Sequence, residues 1–77
     1  MTFSIRVVDS DGRPRDGVRV TADFGLLNGQ LTEVTDDDGW VTLEPAGDYV
    51  TAEFFIAGES QGAHGIEDGE TFSFTLD

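Results

Sequence analysis

Residues 18–24, Val18-Arg19-Val20-Thr21-Ala22-Asp23-Phe24, alternate apolar and polar side chains without a break. Successive side chains on a strand point to opposite faces, so this run seats Val18, Val20, Ala22 and Phe24 on one face and Arg19, Thr21 and Asp23 on the other. The same period returns in Phe3-Ser4-Ile5-Arg6-Val7-Val8 and in Thr71-Phe72-Ser73-Phe74-Thr75-Leu76. There Phe3, Ile5 and Val7, and again Phe72, Phe74 and Leu76, form the inward sets. Glycine-bearing turns separate these runs: Asp9-Ser10-Asp11-Gly12, Asn28-Gly29, Asp36-Asp37-Asp38-Gly39, Pro45-Ala46-Gly47-Asp48 and Glu67-Asp68-Gly69-Glu70. Turn signals at roughly ten-residue intervals predict six or seven short strands, mostly antiparallel, in one all-β domain over residues 1–77. Each sheet would have a single greasy face, so two sheets must cover each other in a sandwich.

Other stretches are less regular. Leu26 and Leu27 are adjacent, so a single strand face does not take both. In Gln30–Thr35, Leu31 and Val34 have opposite parity, which a bulge would reconcile. Trp40–Glu44 reads as a strand with Val41 and Leu43 inward and Trp40 on the other face, near the sheet rim. In Tyr49–Ile56 the apolar set is Val50, Ala52, Phe54 and Ile56, which leaves Tyr49 and Phe55 opposite, beside Thr51 and Glu53, either as a second, partly exposed aromatic face or as the mark of a bulge. Ala57–Gly62 reads as a loop and Ala63–Ile66 as a short strand.

Charge is the sharpest bulk property. Sixteen acidic residues oppose four arginines, Arg6, Arg13, Arg15 and Arg19, with no lysine, for a formal net charge of -12. Such a surface is repelled by nucleic-acid phosphates and by anionic lipid, so neither is an expected partner. Three accounts fit: adaptation to a high-salt medium, steering of a basic protein partner, or plain solubility. Cysteine is absent, which excludes disulfides and thiolate metal sites and favours a reducing compartment such as the cytoplasm. The chain enters a strand pattern directly after Met1, which predicts neither a secretion signal nor a membrane span.

Three segments resemble one group of β-sandwich domains. The run from Ile5 to Val20, with Pro14-Arg15-Asp16-Gly17 introducing a strand, is similar to the opening of carboxypeptidase-regulatory-like and prealbumin-like domains. Thr35-Asp36-Asp37-Asp38-Gly39 resembles their Thr-Asp-x-x-Gly turn, and Gly47-Asp48-Tyr49 their Gly-x-Tyr step. The resemblance covers about two thirds of the chain and implies an immunoglobulin-like (prealbumin-like) sandwich. It also implies a spacer, adhesion or accessory module rather than an enzyme. These are scaffold signatures with no catalytic content.

Asp36 and Asp38, joined by Asp9 and Asp11 if both turns share one end of the sandwich, are candidate calcium ligands; a hard cation needs six to eight oxygens. Val34 stands where a helix–loop–helix calcium loop needs its first acid, so the solvated turn is the simpler reading. His64 is the only histidine and does not make a zinc site without recruiting carboxylates. Ser60, His64 and Asp68 spell a triad on paper, without a spacing that implies triad geometry. Glu53 beside Tyr49, Thr51 and Phe55 is the candidate sugar-binding face. Trp40, Tyr49, Phe55, Arg13 and Arg15 are the candidate protein-contact residues. The expected function is a non-enzymatic structural or protein-interaction module without metal or cofactor. The alternatives are a calcium- or carbohydrate-binding module, a small phage virion surface protein and, last, a hydrolase.

Overall fold

The computed structural model describes residues 1–77. Seven strands form: β1 (Phe3–Val8), β2 (Arg19–Asp23), β3 (Gln30–Val34), β4 (Trp40–Leu43), β5 (Thr51–Ile56), β6 (Glu59–Gly65) and β7 (Thr71–Thr75). They make a three-stranded sheet in the order β4-β1-β7 and a four-stranded sheet in the order β3-β2-β5-β6. The chain is thus an all-β two-sheet sandwich. All pairings are antiparallel except β1 with β7, which run parallel from Ser4 opposite Thr71 to Val8 opposite Thr75. No helix is long and apolar enough to cross a membrane.

The period-two runs fill the interior as the alternation requires. Phe3, Ile5 and Val7 from β1 meet Val20 and Ala22 from β2 and Ala52, Phe54 and Ile56 from β5, all essentially sealed from solvent. Val18 and Phe24 flank β2 and are buried with them. Phe54 sits at the centre, its ring 5.9 Å from Phe3, 4.9 Å from Phe72 and 5.7 Å from Phe74. Such aromatic pairs add roughly 0.5–1.5 kcal/mol each beyond the area they bury.

Several expected placements change. Leu26 and Leu27 are both exposed at the tip of the β2–β3 connection. No bulge reconciles Leu31 with Val34: the β2–β3 register is regular, so Leu31 faces inward opposite Ala22 while Val34 points out opposite Arg19. An irregularity does lie between β5 and β6, around Glu53 and Phe55, where a bulge is one of the two readings of the sequence. Val50 precedes β5 and is exposed rather than part of its apolar set. Ala57–Gly62 is not a loop. Ala57 and Gly58, both at positive φ, make a two-residue hairpin turn, and β6 starts at Glu59. Arg6 on β1 and Arg19 on β2 lie in different sheets.

Candidate functional site

The two Asp-x-Asp-Gly turns lie at the same end of the sandwich, one leaving β1 and one entering β4. Asp9 Oδ1 accepts the amides of Asp11 and Arg13, both at 2.9 Å. Asp36 Oδ1 accepts those of Asp38 and Trp40 at 2.9 and 3.0 Å. The carboxylates of Asp9 and Asp36 therefore close their own turns. No group of three or more histidine, aspartate or glutamate side chains converges in metal-binding geometry. The Asp9 carboxyl is held below the ordinary carboxylate range, first by the Arg13 amide and then by the Asp11 amide and the charges of Arg13 and Arg15, which together outweigh a desolvation that raises it.

Thr35 ties this end together, a role that the alternation pattern does not reveal. Its buried hydroxyl donates to Arg15 O at 2.7 Å and accepts the Val18 amide at 2.9 Å. Its backbone bonds Val18 and Gly17 as well. Pro14–Val18 is thereby strapped onto the β3–β4 connection.

The paper triad is not assembled. The Ser60 hydroxyl donates to Glu53 Oε2, and Asp68 Oδ1 accepts the Thr2 amide at 2.8 Å. His64 lies on β6 with its ring turned inward, stacked on Phe54 at 5.3 Å and edge-on to Phe72 and Phe74, while Nε2 donates to Gln61 O at 2.9 Å. The candidate sugar-binding face also comes apart. Tyr49 precedes β5 and turns inward, stacking on Phe24 at 4.7 Å, so only Glu53, Thr51 and Phe55 remain outside.

The five candidate contact residues do not share one surface. Trp40 is on the outer side of the three-stranded sheet, where the Arg6 guanidinium lies 5.7 Å over its ring and Arg6 Nε donates to Asp38 O. Phe55 is on the outer side of the four-stranded sheet, opposite Thr21 of β2. Arg13 and Arg15 occupy the loop between β1 and β2, with Arg13 exposed and Arg15 donating to Leu76 O at 3.0 Å. Of these, Arg15 and Phe55 line one feature: a shallow open groove across the outer face of β2 and β3, completed by Arg19, Thr21, Val34 and Leu76. Val34 is 58% exposed there and Phe55 is half-buried. Neither Arg15 nor Arg19 has a carboxylate within 4.0 Å; the single ion pair of the molecule joins the Met1 amino group to Asp48 at 3.6 Å.

Compared with known proteins, the chain matches no family model, no curated protein and no solved structure, so its two-sheet all-β build rests on its own strands and registers.

Proposed function

We propose that this chain is a non-enzymatic structural or protein-interaction module of prealbumin-like build, and that it meets a protein partner through the groove around Phe55. One observation carries the reading. Val34 and Phe55 present apolar surface on an otherwise polar sheet face, beside two arginines that have no carboxylate within 4.0 Å, although Asp16 and Asp23 line the same groove. Arg15 and Arg19 there offer donors to a partner's carbonyl or carboxylate oxygens, and the aromatic ring supplies an anchor. The net charge of -12 would steer a partner whose overall charge is basic. Gly47 supports the prealbumin-like build: a Cβ on it would sit 3.1 Å from the Tyr49 ring, which gives the Gly-x-Tyr step a packing reason.

The test is comparative capture from native extract by the wild-type chain and by Phe55→Glu and Arg19→Glu. Far-UV dichroism and Trp40 emission would first establish that both variants are folded. A protein retained at fixed stoichiometry by the wild type and lost from both variants is the expected result. Identical recoveries with all three chains would overturn the reading.

A further inference from the structure

The three-stranded sheet ends at β7, and no strand stands beyond it. Its pairing with β1 fixes which backbone groups are used. The Ser4 amide donates to Glu70 O at 2.9 Å, and the Leu76 amide donates to Val8 O at 2.8 Å. In a parallel ladder alternate residues turn both N–H and C=O to the same neighbour. Glu70, Phe72, Phe74 and Leu76 therefore face β1, while Thr71, Ser73 and Thr75 direct their amides and carbonyls to the open side. All three are exposed.

Proteins ordinarily blunt such edges with charge, proline, glycine kinks or short length. The other three edges of this sandwich carry such devices. β3 bears Glu33, and β4 is only four residues long. β6 begins at Glu59, contains Gly62 at φ 83° and pairs irregularly with β5. From Thr71 to Leu76 the chain has no charge, no proline and no glycine, and the register of β7 is unbroken. Phe72 and Phe74 on its inner side remain half-buried, although they pack against the fully buried Phe54. An added strand would satisfy the open amides and, through its own inward side chains, cover what remains exposed of both rings.

Charge selects the occupant. Glu67, Asp68 and Glu70 precede β7 and Asp77 follows it, so both ends of the neutral edge are acidic. A second copy paired antiparallel about Ser73 would set the acids before one β7 against Asp77 of the other, between two bodies of charge -12. We infer that β7 takes up an extended segment of a basic partner by strand addition, the segment having alternating apolar residues in its middle and arginine or lysine at its flanks. This rests on the reading of the chain as an interaction module but uses a surface other than the Phe55 groove.

The probe is a fluorescent, end-blocked peptide with an alternating valine–threonine centre and paired arginines at each end; its counterpart with glutamate ends is the control. Binding is followed by anisotropy with the whole chain, at low salt and near 1 M. The arginine-ended peptide is expected to bind about tenfold or more tightly than the control, with affinity falling as salt screens the flanking charges. Ser73→Pro removes an amide that the isolated sandwich does not use, so it should retain the fold and weaken binding about tenfold. Ser73→Lys, an exposed side-chain change that keeps the backbone amide, should also weaken it by setting a charge beside the peptide's neutral centre. Phe55→Glu should bind the peptide as the wild type does.

No binding of the arginine-ended peptide to the wild type, or undiminished binding to both Ser73 variants, would overturn the inference while leaving the groove reading to its own experiment. Loss of binding in Phe55→Glu alone would move the peptide to the groove and overturn the edge assignment. Low-salt dimerisation of the wild type that Ser73→Pro abolishes would give the edge to a second copy and likewise overturn it.

Discussion

Asp9 and Asp36 hold the same four hydrogen bonds, 27 positions apart in one chain. Each accepts at Oδ1 the amides two and four residues on. Each receives at its own carbonyl the amide of a glycine three residues on, Gly12 or Gly39, and donates its own amide to the carbonyl four residues on. The repeated Asp-x-Asp-Gly spelling is therefore a repeated piece of geometry. Aspartate satisfies amides that the tight turn leaves unpaired, and glycine takes the left-handed position that a Cβ resists.

The two glycines form a matched pair with different surroundings. Their φ values are 82° and 81°. A Cβ on Gly12 would meet nothing within 4 Å, whereas one on Gly39 would lie 2.5 Å from Val7 O. Gly12→Ala should cost only the backbone strain, about 1–2 kcal/mol. Gly39→Ala should add a collision with the backbone of β1 and cost about 2–5 kcal/mol in all. Urea unfolding of both variants reads the difference directly, and equal losses would show that Val7 gives way freely.

Asp9 links the stability of one turn to pH. Its folded pKa lies below its unfolded value, so its contribution is fully present above the unfolded value, near pH 4, and is lost as pH falls through the folded one. Asp9→Asn keeps an acceptor oxygen but has no charge to titrate. The stability difference between wild type and Asp9→Asn should be constant above about pH 5 and shrink below about pH 4. Asp11→Asn, which removes the same unit of charge from the same loop, corrects for the shared relief of repulsion. A wild-type minus Asp9→Asn difference that changes with pH no more than the Asp11→Asn difference does would count against the turn as the cause.

Thr35 is predicted to be the most sensitive polar residue. Thr35→Val preserves shape but strands the Val18 amide and the Arg15 carbonyl in a buried strap, at a cost of about 2–4 kcal/mol. Thr35→Ser retains both bonds and loses one methyl, at about 0.8 kcal/mol. Thermal unfolding of the pair separates the hydroxyl's part from that of the packing. Similar losses in the two would mean that the hydroxyl bonds matter little.

Thr35 also marks where the sequence was legible and where it was not. The unbroken alternation of Val18–Phe24 and the apolar sets of Phe3–Val8 and Thr71–Leu76 named most of the core, because burial on one sheet face writes itself as period two. The Thr-Asp-x-x-Gly turn was legible as a turn. That its threonine clamps a loop from 20 positions upstream was not, because alternation carries no information about which distant amide a hydroxyl meets. Tyr49 and Val50 were misplaced for a related reason: β5 begins two residues later than the apolar pattern, so parity counted from Tyr49 fails. Ala57–Gly58 was hidden because alanine at φ 51° is an uncommon turn residue. The candidate contact residues were each chosen for chemistry, but two sheets separate Trp40 from Phe55, and strand order alone decides that.

Salt should stabilise this protein rather than weaken it. The molecule spans 36 × 22 × 18 Å, and at about 0.01 M salt the screening length is about 30 Å, so most of the carboxylates act on one another. Near 1 M that length is about 3 Å and the repulsion is confined to near neighbours. The opposing effect, loss of attractive pairs, is small: no arginine lies within 4.0 Å of a carboxylate, and the one ion pair is the exposed contact of Asp48 with the amino terminus. With self-repulsion unopposed, the unfolding midpoint should climb by several degrees between about 0.01 and 1 M sodium chloride, since about 1 kcal/mol moves a chain of this size by about 4–8 °C. Sodium chloride and potassium chloride should act alike, because screening depends on ionic strength alone. A flat midpoint would remove carboxylate repulsion from the account of stability, and a rise confined to one cation would point to a bound ion instead.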